Sequence, residues 1–219
     1  SNKGTHVLFQ QNLEPQKMKI VKTPTIAKKA FHRLTWDKNE NEKAIYLTFD
    51  DGPTPKITIW ILKLLSKFDA KATFFCLGKN VVLYPKLLEF IICEGHSIGN
   101  HTFNHLNAWK TKKDKYLNDI EMSEKVFHSK FFRPPYGKLK PGIRTRILAN
   151  YEIIMWDVMS YDFDQNLSGE NCYQNVINNA NEGSIIVFHD SLKAETNMKE
   201  SLVKVLEYFA KKGFIFKAL

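Results

Sequence analysis

Apolar positions along this chain alternate between short dense runs and longer stretches at helical spacing. Residues 44–49 are one such short run, β-branched, aromatic and aliphatic in turn, and predict a buried strand. After Pro53 the period changes. Thr54 stands as N-cap and Pro55 at the first helical position, while Ile57, Ile61, Leu64, Leu65 and Phe68 recur on one helical face. Further strands are predicted at 72–77, 96–99, 131–133, 152–156, 184–188 and 214–217. Helices are predicted at 80–94, 113–128, 141–148 and 168–181, and a last one buries Leu202, Val205, Leu206 and Phe209. Gly78, Gly95, Gly183, Gly213 and Pro134-Pro135 punctuate the series.

Strand and helix thus alternate about seven times, which implies α/β architecture with a parallel sheet and helices outside. A distorted β/α barrel is expected, because every polar motif falls just after a strand and such positions share one rim of a barrel. An open doubly wound sheet is the alternative. No Gly-x-Gly-x-x-Gly follows any strand, so dinucleotide binding has no support. Residues 1–43 read as an N-terminal extension and lead-in, with polar loop at Gln10-Gln11-Asn12, a short basic helix at 26–34 and a charged turn at 37–43. Residues 44–219 read as one domain.

Charge and cysteines narrow the picture little. The net charge is +9, from 32 Lys and Arg against 23 Asp and Glu, but the basic residues are dispersed. With no helix-turn-helix, zinc-finger spacing or aromatic RNA-binding signature, no nucleic-acid partner is expected. No run reaches the length of a membrane span and no signal peptide is visible; Met18 could be a natural start. Cys76, Cys93 and Cys172 form no framework, and the first two sit in apolar contexts like small buried hydrophobes.

The candidate chemistry begins where the first strand ends, at Asp50-Asp51-Gly52-Pro53. By themselves these residues fit a turn and a helix cap. His101 and His105, four apart after another strand, could face one metal ion; with one carboxylate from Asp50-Asp51 they make a two-His, one-Asp set with open positions. That is a hydrolytic or oxygenase arrangement rather than a closed structural site.

Four stretches then stand in order: Thr48-Phe49-Asp50-Asp51-Gly52-Pro53, His101-Thr102-Phe103-Asn104-His105, Arg133-Pro134-Pro135-Tyr136-Gly137 and Ile186-Val187-Phe188-His189-Asp190. Together they resemble the polysaccharide deacetylase (NodB-homology) family, family four of the carbohydrate esterases, over residues 44–219. The resemblance implies that Asp51, His101 and His105 bind one divalent ion, most often zinc in that family, with cobalt and others as alternatives. It implies Asp50 as general base, Arg133 as its partner, the backbone N–H of Tyr136 as oxyanion donor and His189 as general acid. Phe163 and Val187 would form an apolar wall for the acetyl methyl, with Trp156 also lining the substrate pocket. His96 and His128 are read as structural.

One departure stands out. Across Met159-Ser160-Tyr161-Asp162-Phe163 the resemblance expects Asp-x-x-Asp-Trp, and assigns the first Asp to orienting and charging the catalytic histidine. Met159 can do neither, so His189 is expected to have a lowered pKa unless Asp157 or Asp162 reaches it. The implied activity is removal of N-acetyl groups from a chitin-like or peptidoglycan glycan. Rivals are an O-acetyl glycan esterase, a hydrolase of small C–N compounds, and a glycan-binding module that has lost activity. The resemblance suggests the cell envelope as location, with the cytoplasm as alternative; oligomeric state is not legible.

Overall fold

The computed structural model describes residues 19–38 and 42–219. Gln10-Gln11-Asn12 and Met18 lie outside the described residues. Seven parallel strands curl into a sheet: β1 (Ala44–Asp50), β2 (Thr73–Cys76), β3 (Ser97–Asn100), β4 (Phe131–Phe132), β5 (Glu152–Ile153), β6 (Val158–Met159) and β7 (Ile185–His189). Their spatial order is β5-β4-β3-β2-β1-β7-β6, and β8 (Ile215–Phe216) runs beside the start of β1. The connecting helices include α1 (Thr25–Ala30), α2 (Pro55–Lys67), α3 (Gly78–Leu83), α4 (Pro85–Cys93), α5 (Lys113–Glu124), α6 (Pro141–Ile147), α7 (Gly169–Ile177) and α8 (Glu195–Lys211). None is long and apolar enough to cross a membrane.

β1 is buried on both faces, as a dense apolar run requires of a central parallel strand. Successive side chains point to opposite faces. Ile45, Leu47 and Phe49 therefore pack outward with Ile57, Ile61 and Leu65 of α2 and Leu202, Val205 and Leu206 of α8. Ala44 and Tyr46 face the other way with Phe75, Phe131, Ile154 and Ile185. The same parity carries Thr48 and Asp50 inward, and Asp50 is the last residue of the strand.

The structure departs from the predicted elements in three places. The helix expected over 80–94 is two, α3 and α4, divided at Tyr84, because Pro85 has no N–H to continue the first ladder. The strand expected over 152–156 ends at Ile153; the chain steps across the gap between the two edges of the curled sheet and pairs again as β6 against β7. Cys93, expected to be buried, is exposed at the end of α4, whereas Cys76 and Cys172 are buried.

The break between β5 and β6 leaves a seam, and the lead-in fills it. Thr35 N–H donates to Ile153 O and Met155 N–H to Thr35 O; Thr23 N–H donates to Asp157 O and Met159 N–H to Val21 O. Lys22 and Lys28 both reach the buried Asp157 carboxylate, which also accepts from Ser184 Oγ at 2.6 Å. Residues 19–38 are thus joined to the sheet through both backbone and charge.

Candidate active site

Four chain segments meet at the carboxyl ends of β1, β3, β4 and β7, around a cavity of about 780 Å³. Asp50, Asp51, His101, His105, Tyr136 and His189 all line it, together with Trp156, Met159, Tyr161 and Phe163. The backbone there is unusual. Asp51, Thr102, His105, Tyr136 and Tyr161 have φ between 61° and 80°, and Asp69 is the only other non-glycine residue with positive φ among those described. Each such position costs of order 1–3 kcal/mol, which the surrounding packing must outweigh.

Asp51 turns out of β1 into that left-handed conformation and meets the two imidazoles. Its Oδ1 lies 3.5 Å from His101 Nε2 and 3.1 Å from His105 Nε2. Ligand atoms of all three residues lie within 4.8 Å of one another. His101 Nδ1 faces Arg133 O at 2.8 Å, and since a carbonyl only accepts, that nitrogen carries the proton. The Nε2 atom of the ring is the one that faces Asp51. Asp51 Oδ1 is buried without a hydrogen-bond partner. Burial opposes the Asp51 charge, but the rings of His101 and His105 and the positive His189 beyond hold it ionised, well below the ordinary carboxylate range. Two imidazole nitrogens and an unsatisfied carboxylate oxygen converging on one point fit a divalent cation.

Gly52 makes that turn possible. A Cβ there would stand 1.9 Å from Asp190 Oδ2, so only glycine lets the loop pass the Asp190 carboxyl. Asp190 is itself buried, accepts from Thr58 Oγ1 at 2.6 Å, and is pushed up to about 7, by burial first and with a contribution from the Asp51 charge.

Asp50 stands beside the cation set, braced from behind. Arg133 is fully buried and does not reach the cavity; its Nη1 donates to Asp50 Oδ1 at 2.8 Å and to Thr48 Oγ1 at 2.6 Å. Its other nitrogens donate to Ile154 O and Met155 O, and the guanidinium lies 4.0 Å over the Phe75 ring. One carboxylate oxygen is thereby fixed, leaving Oδ2 for a ligand.

His189 ends β7 beside Asp50, its register partner. The carboxylate it needs comes from Asp162, not from the position of Met159. After β6 the chain makes a left-handed turn at Tyr161, which sends Asp162 back to the ring. Asp162 Oδ1 lies 2.7 Å from His189 Nδ1, and Oδ2 accepts from His189 N–H at 2.7 Å. Burial disfavours the charged ring, but Asp162, by charge and hydrogen bond, and then Asp51 and Asp50 outweigh it and raise the His189 pKa to about 9. Asp162 is thus one of the two carboxylates that could stand in for the one missing at Met159, and the condition for a lowered pKa is not met. Asp157, the other candidate, is engaged by Lys22 and Lys28.

The apolar wall is also partly reassigned. Phe163 lines the cavity with its ring 5.0 Å from that of His189, in an edge-on arrangement. Trp156 lines it too, packed so close to Gly137 that a Cβ there would lie 2.5 Å from the indole. Val187 does not, because it is fully buried in β7 between Thr48 and Met159; Met159 forms the wall in its place. Tyr136 is exposed and lies against His105 with its ring tilted, centroids 4.7 Å apart. His96 and His128 stay outside the site: His96 accepts from Ala72 N–H, and burial, then Lys71, lowers it to about 4, while His128 is exposed and pairs with Glu124.

Residues 37–152 match the family model described as polysaccharide deacetylase. The chain belongs to that family. The matched stretch of this deacetylase domain holds Asp50, Asp51, His101, His105, Arg133 and Tyr136 and ends before Asp162 and His189. A peptidoglycan-N-acetylglucosamine deacetylase of Bacillus cereus is 36% identical over 190 residues, covering 84% of this chain and 89% of that protein. A chitooligosaccharide deacetylase of Azorhizobium caulinodans is 32% identical over 159 residues, 69% of this chain and 75% of that protein. Among solved structures, a peptidoglycan N-acetylglucosamine deacetylase in complex with a 4-naphthalen-1-yl-N-oxidanyl-benzamide superposes with TM-score 0.79 at 33% identity, covering 85% of this chain and 91% of that one.

The polysaccharide deacetylase motifs leave some of the cavity unaccounted for. Ile20, Thr23, Pro24 and Trp36, from the lead-in, also line it. Nothing periodic in 19–38 announces this, since the segment joins the sheet through isolated bridges.

Proposed function

We propose that the protein is a zinc-dependent deacetylase that hydrolyses the acetamide of N-acetylhexosamine residues in a chitin-like or peptidoglycan glycan. The observation that carries this reading is the convergence on one cavity of a braced carboxylate, a two-His, one-Asp set and a charged histidine. Asp51, His101 and His105 would hold the cation, and nitrogen and oxygen donors with positions left open suit zinc. Bound there, a divalent cation supplies Lewis acidity toward water and the substrate carbonyl.

The remaining chemistry belongs to the chain. Asp50 Oδ2 accepts the proton of the attacking water, with Arg133 holding the carboxylate in place. Water adds to the acetamide carbon, and the Tyr136 backbone N–H donates to the oxygen that gains charge. His189, protonated through Asp162, gives its Nε2 proton to the amine nitrogen as the C–N bond breaks. Acetate and a free amino sugar result. Phe163, Trp156 and Met159 enclose the acetyl methyl. A binding module that has lost activity was conceivable only while Met159 left the acid unsupported; the Asp162–His189 contact removes that ground.

The test is acetate release by zinc-loaded protein from acetylated chitooligomers, peptidoglycan and acetylated xylan. Release from either amide-bearing glycan is expected. Release from xylan alone would replace the reading with an O-acetyl esterase, and release from none would end it.

A further inference from the structure

At about 780 Å³ the cavity lies in the range that holds drug-sized ligands, so it has room for roughly two linked sugar residues. The acetamide chemistry at the ends of β1 and β7 uses only part of this wall. Trp36 lines another part. It stands on the β5 side of the seam, where Thr35 bridges Ile154, and β6 and β7 separate the seam from β1. It also precedes residue 37, where the family match begins.

Trp36 is held firmly on both sides. Thr35 is bonded to Ile153 and Met155, Thr35 Oγ1 donates to Glu152 Oε1, and Lys38 N–H donates to Gly183 O at 2.8 Å. The indole is only partly buried, and its N–H is already spent on Phe31 O at 3.2 Å. Part of the ring packs on the neighbouring core, and what remains for a ligand is the aromatic surface that lines the cavity, held in place before anything binds. A hexosamine ring presents axial C–H bonds on one face, which suit the electron-rich face of an indole. A platform fixed in advance loses little entropy on binding.

We propose that Trp36 is the stacking platform of an accessory sugar subsite, engaging a residue of the glycan next to the one that is deacetylated. The inference rests on the deacetylase reading and adds a determinant of chain length to it. Trp36 touches no reacting atom, so it should act on binding and not on the chemical step.

The experiment compares parent, Trp36→Ala and Trp36→Phe on acetylated chitooligomers or peptidoglycan fragments of increasing length, whichever the parent turns over. With Trp36→Ala, KM for the longer substrates should rise about tenfold, the size of one aromatic contact, with kcat little changed. The shortest substrate should be handled as by the parent, which also shows that the variant is folded. Trp36→Phe should recover most of the loss. Calorimetric binding of the longer substrate to Asp50→Asn and to Asp50→Asn with Trp36→Ala should show the same difference without turnover. Equal losses at every length, or none at the longest, would overturn the proposal while leaving the deacetylase reading intact. A parent inert on both glycans would sink that reading first, and this inference with it.

Discussion

The His189 imidazole stands between two opposed effects, burial against its charge and the Asp162 carboxylate at 2.7 Å in favour of it. The carboxylate prevails, so the ring is protonated below about 9 and loses its proton as pH rises through that value. An acid catalyst is competent only while protonated, so activity should fall along an alkaline limb near there. Asp162→Asn removes the charge that favours protonation and leaves the burial that opposes it. The limb should move down toward the ordinary 6.5 or below, read from the pH dependence of acetate release. An unmoved limb would show that His189 is not the titrating acid. Met159→Asp, by contrast, should leave the limb in place, since the ring is already charged. Asp50→Asn should lower kcat by roughly a hundred- to ten-thousandfold with zinc content unchanged, and near-normal turnover would exclude Asp50 as base. The residues proposed as cation set, base and acid were legible because each sits in a short motif at a strand end. The partner of the acid could be narrowed only to Asp157 or Asp162, since a motif does not reveal that the chain turns back at Tyr161.

The elements were legible wherever a period ran long enough. α2 and α8 bury the residues their spacing assigned on one face, with Phe68 just past α2 only partly covered, and β1 is buried on both faces by a continuous core. The seam was not legible. Two-residue strands and single bridges carry no period, and what joins the lead-in to the sheet is largely backbone hydrogen bonding and one buried carboxylate. Asp157 serves Lys22, Lys28 and Ser184 at once and sits beside Trp156 of the cavity wall. Lys22 is partly exposed and can turn to water, which reduces what its pairing contributes. Asp157→Ala should still cost about 1–3 kcal/mol, the usual range for hydrogen bonds to a charged group that is largely buried. Chemical denaturation measures this, and proteolysis within residues 19–38 should speed up in parallel. Unchanged stability together with unchanged cleavage would mean that the lead-in is held by its backbone bonds alone.

For the whole molecule, the cation set couples function to stability. Without a cation, Asp51 is an ionised carboxylate with one buried oxygen lacking a hydrogen bond, a position a cation can fill. A cation that binds only the folded chain stabilises it by RT ln(1 + [L]/Kd), about 2.7 kcal/mol at a hundredfold excess over Kd. In a chain of 219 residues this corresponds to roughly 5–10 °C in melting temperature. Zinc should therefore raise the Tm of metal-free protein by that amount, and a chelator should reverse it. Asp51→Asn tests both roles of the carboxylate. The amide removes the charge that the neighbouring rings favour, so the metal-free variant should melt below the metal-free parent, while the rise on adding zinc should largely vanish and acetate release with it. His105→Ala should likewise lose the rise, since its ring supplies one of the three donors. A full zinc-induced rise in both variants would place the ion elsewhere and remove Asp51 and His105 from the cation set. A metal-free Asp51→Asn protein as stable as the metal-free parent would instead show that the Asp51 charge does not support the fold before a cation binds.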